Sequence, residues 1–213
     1  MSRDNTKDLT TTYLSKYGKK LDGHQEGVVL DSEETYQPLF LVVLLNELRV
    51  FGDFFGVTGR INELLAIEKK SPLHPVSQLF QKVLAKIEID YEKEHKGMVK
   101  CIACALLLSK TGLTDKDIAS IVAREVEQPS GIIASTKEFD AIQFKALRLR
   151  LTSFLMPDTH QRYRFKHVFF NQAVEGQYDV SKAMQGNASP LRERVHELLC
   201  EHFKTVKDDS RRA

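Results

Sequence analysis

At 213 residues the chain has room for one large or two small domains and for a substantial core. Hydrophobic residues make up 42% and charged residues 28%, a balance that excludes a disordered chain. Its 31 basic side chains against 29 acidic ones give a net charge of +2, too small to require nucleic acid or an anionic membrane as partner.

In chain order, Leu9, Tyr13, Leu14 and Tyr17 share one helical face, with Asp4 or Asn5 as the expected cap and Gly18 as the stop. A short helix is predicted after Asp22. Pro38 opens the most apolar helix, residues 39–51, because a first-turn position does not need the missing N–H. Ile61, Leu64 and Leu65 mark another short helix, and residues 71–75, Ser-Pro-Leu-His-Pro, form a break. Beyond it Val76, Leu79, Phe80, Val83, Leu84 and Ile87 recur at three and four residues, which predicts a helix to about Tyr91 or Glu94.

Residues 97–109 read as a buried helix. Thr114 caps the next, with Asp117 as an imperfect capping box and Ile118, Ile121 and Val122 as its apolar face. A loop around Pro129-Ser130-Gly131 leads to a helix from about Glu138, carrying Phe139, Ile142, Phe144, Ala146 and Leu147. Two strands, 151–156 and 162–165, are expected around the turn 157–161. Then Phe169, Phe170, Ala173 and Val174 return to helical spacing, which puts His167 at a helix N-terminus, where amides and the macrodipole favour an anion. A last helix over 190–206 shows Leu191, Val195, Leu198, Leu199 and Phe203 on one face, and the charged tail after it is expected to fray. No internal repeat is visible at periods of 20–50 residues.

The longest apolar run, 38–45, falls far short of the roughly 20 residues that span a bilayer, and the polar N-terminus lacks a signal peptide's apolar stretch. Three cysteines imply no disulfide framework, so a cytoplasmic, reducing setting is expected. Cys101 and Cys104 form one CxxC in mid-helix, read as buried core thiols rather than zinc ligands. Leu41-Val42-Val43-Leu44-Leu45 fits the LxxLL pattern of groove-docking peptides but reads as a core helix. Neither a metal-spaced histidine pair nor a nucleophile context stands out, so no independent enzyme is expected. Residues 137–166 carry seven basic side chains, Lys137, Lys145, Arg148, Arg150, Arg162, Arg164 and Lys166, against Glu138, Asp140 and Asp158. A DNA-reading helix and wing would look somewhat like this, as would a partly buried helix.

Three further stretches, Tyr13 to Leu21, Gln37 to Leu41 and Asn46-Glu47-Leu48-Arg49-Val50-Phe51-Gly52, resemble the helical lid that follows the core of STAND-class, NACHT-type NTPases. The likeness is to nephrocystin-like proteins with tetratricopeptide repeats. Leu79-Phe80 with Val83-Leu84, Asp90-Tyr91, Gly112-Leu113-Thr114 and Phe165 to Val174 leading to Tyr178 agree with it. The resemblance implies that Pro38 packs on adenine and that His167 contacts the β-phosphate of bound ADP. Val168 departs from relatives with aspartate after that histidine, which implies a weaker lock. Neither a GxxxxGK[ST] loop nor a Mg²⁺-holding acidic pair is found.

The expectation is therefore a mainly α chain: a helical lid subdomain over 1–70, a winged-helix domain with a two-stranded β-ribbon over 76–180, and a C-terminal helix over 187–206 leading toward absent repeats. It would be a non-catalytic regulatory module, a fragment or stand-alone remnant. No cofactor is expected in this chain alone, whereas ADP or ATP with Mg would bind the complete parent. Expected partners are an NTPase core and other proteins through self-association, with neither nucleic acid nor membrane. A winged-helix DNA-binding protein and a nucleotide-independent adaptor stay open as alternatives.

Overall fold

The computed structural model describes residues 1–53, 55–127, 131–135, 141–180 and 189–212. Among them are ten α-helices, two 3₁₀ turns and two antiparallel strand pairs, a mainly α chain with a small β-ribbon. Two compact units emerge, Met1–Val83 and Leu84–Ala213, and the helix α5 (Pro75–Tyr91) contributes to both.

The first unit is built around α3 (Pro38–Val50). Its Phe40, Leu41, Leu44, Leu45 and Leu48 are buried, which accounts for the LxxLL pattern as core. Against it pack α1 (Arg3–Ser15) and α4 (Val57–Leu65), while α2 (Gly23–Asp31) lies on α1 and α4. The cap of α1 is Ser2, not Asp4 or Asn5, because its Oγ reaches the Asn5 amide three residues on, at 3.2 Å. Asp22 and Gln25 form a reciprocal capping box on α2. Gly18, at φ 65°, ends the turn after α1, and the Lys19 amide donates back to the Leu14 carbonyl.

Side chains from the turn after α1 then close on α3. Lys19 Nζ donates to the carbonyls of Leu48 at 3.1 Å and Phe51 at 2.7 Å, a cation on the negative end of the helix. The Arg49 guanidinium lies 4.8 Å from the Tyr17 ring centroid. Within the unit Arg60 and Glu47, both buried, pair at 3.5 Å, and Arg60 also meets the exposed Glu63 at 2.7 Å.

The second unit runs from the end of α5 through α6 (Met98–Leu108), α7 (Asp115–Glu127), α8 (Ala141–Leu151), α9 (Val168–Tyr178) and α10 (Pro190–Arg212). Between α8 and α9 the hairpin β3–β4 (Leu155–Pro157 and Tyr163–Phe165) pairs Leu155 with Phe165 and Pro157 with Tyr163. A bridge from Leu113 to Tyr163 adds the loop before α7 to the ribbon. Gly112, at φ 79°, permits that approach, since a Cβ there would stand 2.8 Å from the Tyr163 carbonyl oxygen. α6 is the hub, packed on α7, α9, α10 and β4. Glu92 caps it by accepting from the Gly97 and Val99 amides at 2.8 and 2.7 Å.

Several boundaries differ from those read in the sequence. The strand expected from Leu151 begins at Leu155. Leu147 and Leu151 are both buried, so the four-residue period prevails over the alternation of Leu147, Leu149 and Leu151, and α8 runs on into a 3₁₀ turn, Thr152–Phe154. The helix start expected near Glu138, Phe139 with it, and the loop residues Pro129 and Ser130 lie outside the described residues. A second strand pair, His95–Lys96 with Ala134–Ser135, was not foreseen. Past the expected end at 206, α10 continues to Arg212, as a charged stretch without glycine or proline allows. On α10 the buried face comprises Val195, Leu198, Leu199 and His202, whereas Phe203 is exposed.

Replacing Glu47 by alanine leaves the buried Arg60 with the exposed Glu63 as its ion-pair partner and is expected to cost about 2 kcal/mol in urea unfolding. The paired change Glu47→Leu with Arg60→Met should fall well below that, since it removes both charges at once.

Candidate functional site

His167 is the N-cap residue of α9, in extended conformation at φ −132° and ψ 137°, with an exposed side chain that makes no capping hydrogen bond. The chain turns there because Lys166 closes the ribbon, its amide donating to the Phe154 carbonyl at 2.9 Å, and Phe170 enters the core beside Phe154 and Phe165. An exposed imidazole beside first-turn amides is a suitable donor for an anion. In the other unit, Pro38 is the first residue of α3 and is exposed, as is Val42 one turn on. Each side chain can therefore be reached by a ligand from within its own unit.

The basic segment looks different once its side chains are placed. Lys137, Glu138 and Asp140 lie outside the described residues. Arg148 is 7% exposed: its Nε donates to Asp115 Oδ1, its Nη1 to Thr152 Oγ1 at 3.0 Å, and its guanidinium stacks 3.9 Å from the Tyr163 ring centroid. Arg150 lies 5.8 Å from the Phe154 ring centroid. Arg162 pairs with Asp158 at 3.8 Å, and Asp158 also accepts from the His160 and Arg162 amides. Arg148, one of the seven basic side chains of this segment, is thus engaged inside the fold.

A polar junction that sequence reading half recognised joins α7 to α10. Thr114 caps α7, its amide and hydroxyl donating to Asp117 Oδ2 at 2.9 and 2.7 Å, while the Asp117 amide donates back to Thr114 Oγ1 at 3.1 Å. The capping box is complete. Asp117 Oδ1 lies 2.7 Å from Nε2 of the buried His202, a contact that no local spacing could have announced. Burial pushes the Asp117 carboxyl up, but the hydrogen bonds from Thr114 and His202 outweigh it and hold the group below its ordinary 3.8.

Other reactive groups are quiet. Burial pushes the Cys104 thiol up to about 12 and Cys101 higher still, so neither thiol is a nucleophile at neutral pH. Burial and the adjacent Glu88 carboxylate raise the Tyr178 hydroxyl far above the phenol range, and it donates to Glu88 Oε1 at 2.6 Å. Glu125, fully buried, accepts from the Ile132 and Ile133 amides. Among the described residues no group of three or more His, Cys, Asp or Glu could hold a metal ion. Among them, too, no helix is long and apolar enough to cross a membrane.

Over 124 residues, 58% of its length, the chain is 30% identical to a TPR repeat-containing protein of Dictyostelium discoideum. It spans 7% of that protein's length. No family model matches the chain. No solved structure matches it either.

Two outcomes test this reading of the charges. Arg148→Met should lower stability by about 2 kcal/mol in chemical unfolding, because Asp115 and Thr152 lose a charged hydrogen-bond partner. Asp117→Ala should cost about 1–2 kcal/mol through the lost cap. Because the folded carboxyl titrates lower than the unfolded one, its contribution is complete above about pH 4 and is lost as pH falls further. The gap in thermal midpoint between the wild-type chain and Asp117→Ala should therefore narrow below pH 4.

Proposed function

We propose that this chain is a non-catalytic, helical protein-interaction module that regulates a larger assembly. The observation that carries it is the 124-residue likeness to part of a much longer TPR repeat-containing protein, repeats of a kind that bind other proteins. The order α6, α7, α8, ribbon, with the Leu113–Tyr163 bridge as a third strand position, supports a winged helix in the second unit. The first unit is then the helical lid, and the pair corresponds to the regulatory region of a STAND/NACHT-type NTPase.

In that setting an NTPase core outside these residues holds ADP or ATP with Mg²⁺. Pro38 offers apolar surface to the base, and His167 donates to a phosphate oxygen. A nucleotide moves such an equilibrium only by binding one conformation better than the other, and a phosphate-dependent contact from His167 is a difference of that kind. The module works in the cytoplasm and acts through the core and through self-association. A second reading, direct DNA binding, loses support from the burial of Arg148.

Taken alone, the chain should release no phosphate from ATP above the spontaneous rate. Its affinity for ADP should be weaker than about 1 mM, since one donor supplies only a few kcal/mol. In ¹⁵N spectra ADP should shift the amides of Val168 to Phe170, adenosine should not, and His167→Ala should abolish the effect. Measurable hydrolysis would overturn the non-catalytic reading; shifts that ignore His167 would overturn its phosphate role.

A further inference from the structure

Helix α8 is apolar on two sides, and the core uses only one. Phe144, Leu147 and Leu151 are buried, yet Ile142 is 82% exposed and Leu149 66%. These two stand seven residues apart, on one face and about 10 Å from each other along the axis. Ala146, also exposed, lies between them as a notch between two larger side chains. That profile suits the ridge of a second helix crossing α8.

The charge of this part of the chain is predominantly basic. Residues 137–174 contain seven lysines and arginines and three carboxylates, Glu138, Asp140 and Asp158. Asp158 is held by Arg162 and by the turn amides, and Arg148 is neutralised internally by Asp115. Arg150 lies against the Phe154 ring, and outside remain Arg164, exposed on β4, Lys145, exposed on the same face of α8 as Ile142, and Lys166 near the C-terminal end of α8. Lys166 Nζ donates to the Ser153 carbonyl at 3.0 Å, and Ser153 Oγ donates to that of Arg150 at 3.4 Å, which sets the ammonium one turn beyond Leu149. Two cations therefore flank an apolar stripe.

We infer that the outer face of α8 docks an acidic amphipathic helix of a protein partner, with apolar anchors on Ile142 and Leu149 and carboxylates near Lys145 and Lys166. Charge complementarity selects an acidic partner, and the two large aliphatic anchors select a protein over a phosphate backbone. A nucleic acid would meet two desolvated aliphatics where it needs donors, and the arginine with the best fork for phosphate faces inward. The inference rests on reading the chain as a protein-interaction module and names the surface through which it works.

The test uses the whole chain, ¹⁵N-labelled, and a helix-stabilised synthetic peptide of about 18 residues. Leucines at i, i+3, i+4 and i+7 form its apolar face, glutamates fill the rest, and a lysine version is the control. The acidic peptide should shift Ile142, Lys145, Ala146 and Leu149 and weaken steeply with added salt, and the lysine peptide should do neither. Ile142→Glu with Leu149→Glu should weaken binding at least ten-fold with an unchanged thermal midpoint, since both side chains already face water. Lys145→Glu with Lys166→Glu should weaken the acidic peptide at least five-fold and reverse the preference toward the lysine version.

Equal binding of both peptides, or no binding, overturns the proposal. So does tighter binding of duplex DNA or phosphatidylserine vesicles to this face. Shifts confined to other helices overturn the surface while leaving the module reading intact. Phosphate release from ATP by the chain strikes that reading and leaves the docking result standing.

Discussion

The second unit depends on one guanidinium. Arg148 leaves α8 to meet Asp115 at the start of α7, Thr152 in the turn that follows, and the face of Tyr163 on β4. Two segments distant in sequence, the start of α7 and β4, are tied to α8 by one side chain with a rigid, planar donor set. Lysine could supply the charge but neither the fork nor the stacked plane. Tyr163 in turn bridges to Leu113, two residues before Asp115, so the ion pair and the backbone bridge close the same corner. The position of the ribbon on the helices follows from that closure, and with it the turn that puts His167 at the start of α9.

Why some of this was legible in the sequence and some not follows from distance along the chain. The capping box of Thr114 and Asp117 is written within four residues, and a period of 3.6 writes itself into any helix that buries one face. Hence α3, α5, α7 and the His167 N-cap could be read directly. The segment 147–155 misled because Leu147, Leu149 and Leu151 satisfy both an alternating and a helical pattern, and only burial decides between them. The pairs Glu47–Arg60, Asp117–His202 and Asp115–Arg148 join positions 13, 85 and 33 apart. Nothing local marks such a charge as internal.

The stretches that carried the family resemblance now have a physical content of their own. Lys19 closes the carbonyl end of α3, Tyr17 faces Arg49, and Glu47 neutralises Arg60. These residues hold the first unit together. Such contacts bear on the fold rather than on a ligand, since the same pairs are needed whether or not a nucleotide is near. Pro38 differs: it is exposed, and its fixed φ suits the first helical turn it occupies.

The same reasoning separates the two sides of α8. Its inner residues are fixed by the core, where any polar replacement would be costly. Its outer residues are under no such constraint: lysine, glutamate or glutamine would serve helix formation as well at Ile142 and Leu149 and would cost nothing in exposed apolar surface. Single exposed aliphatics are ordinary on protein surfaces. Two on one stripe, separated by an alanine and set in a predominantly basic segment, are not required by the packing of α8. What folding leaves unexplained on an otherwise well-packed helix is where contact with another molecule leaves its mark.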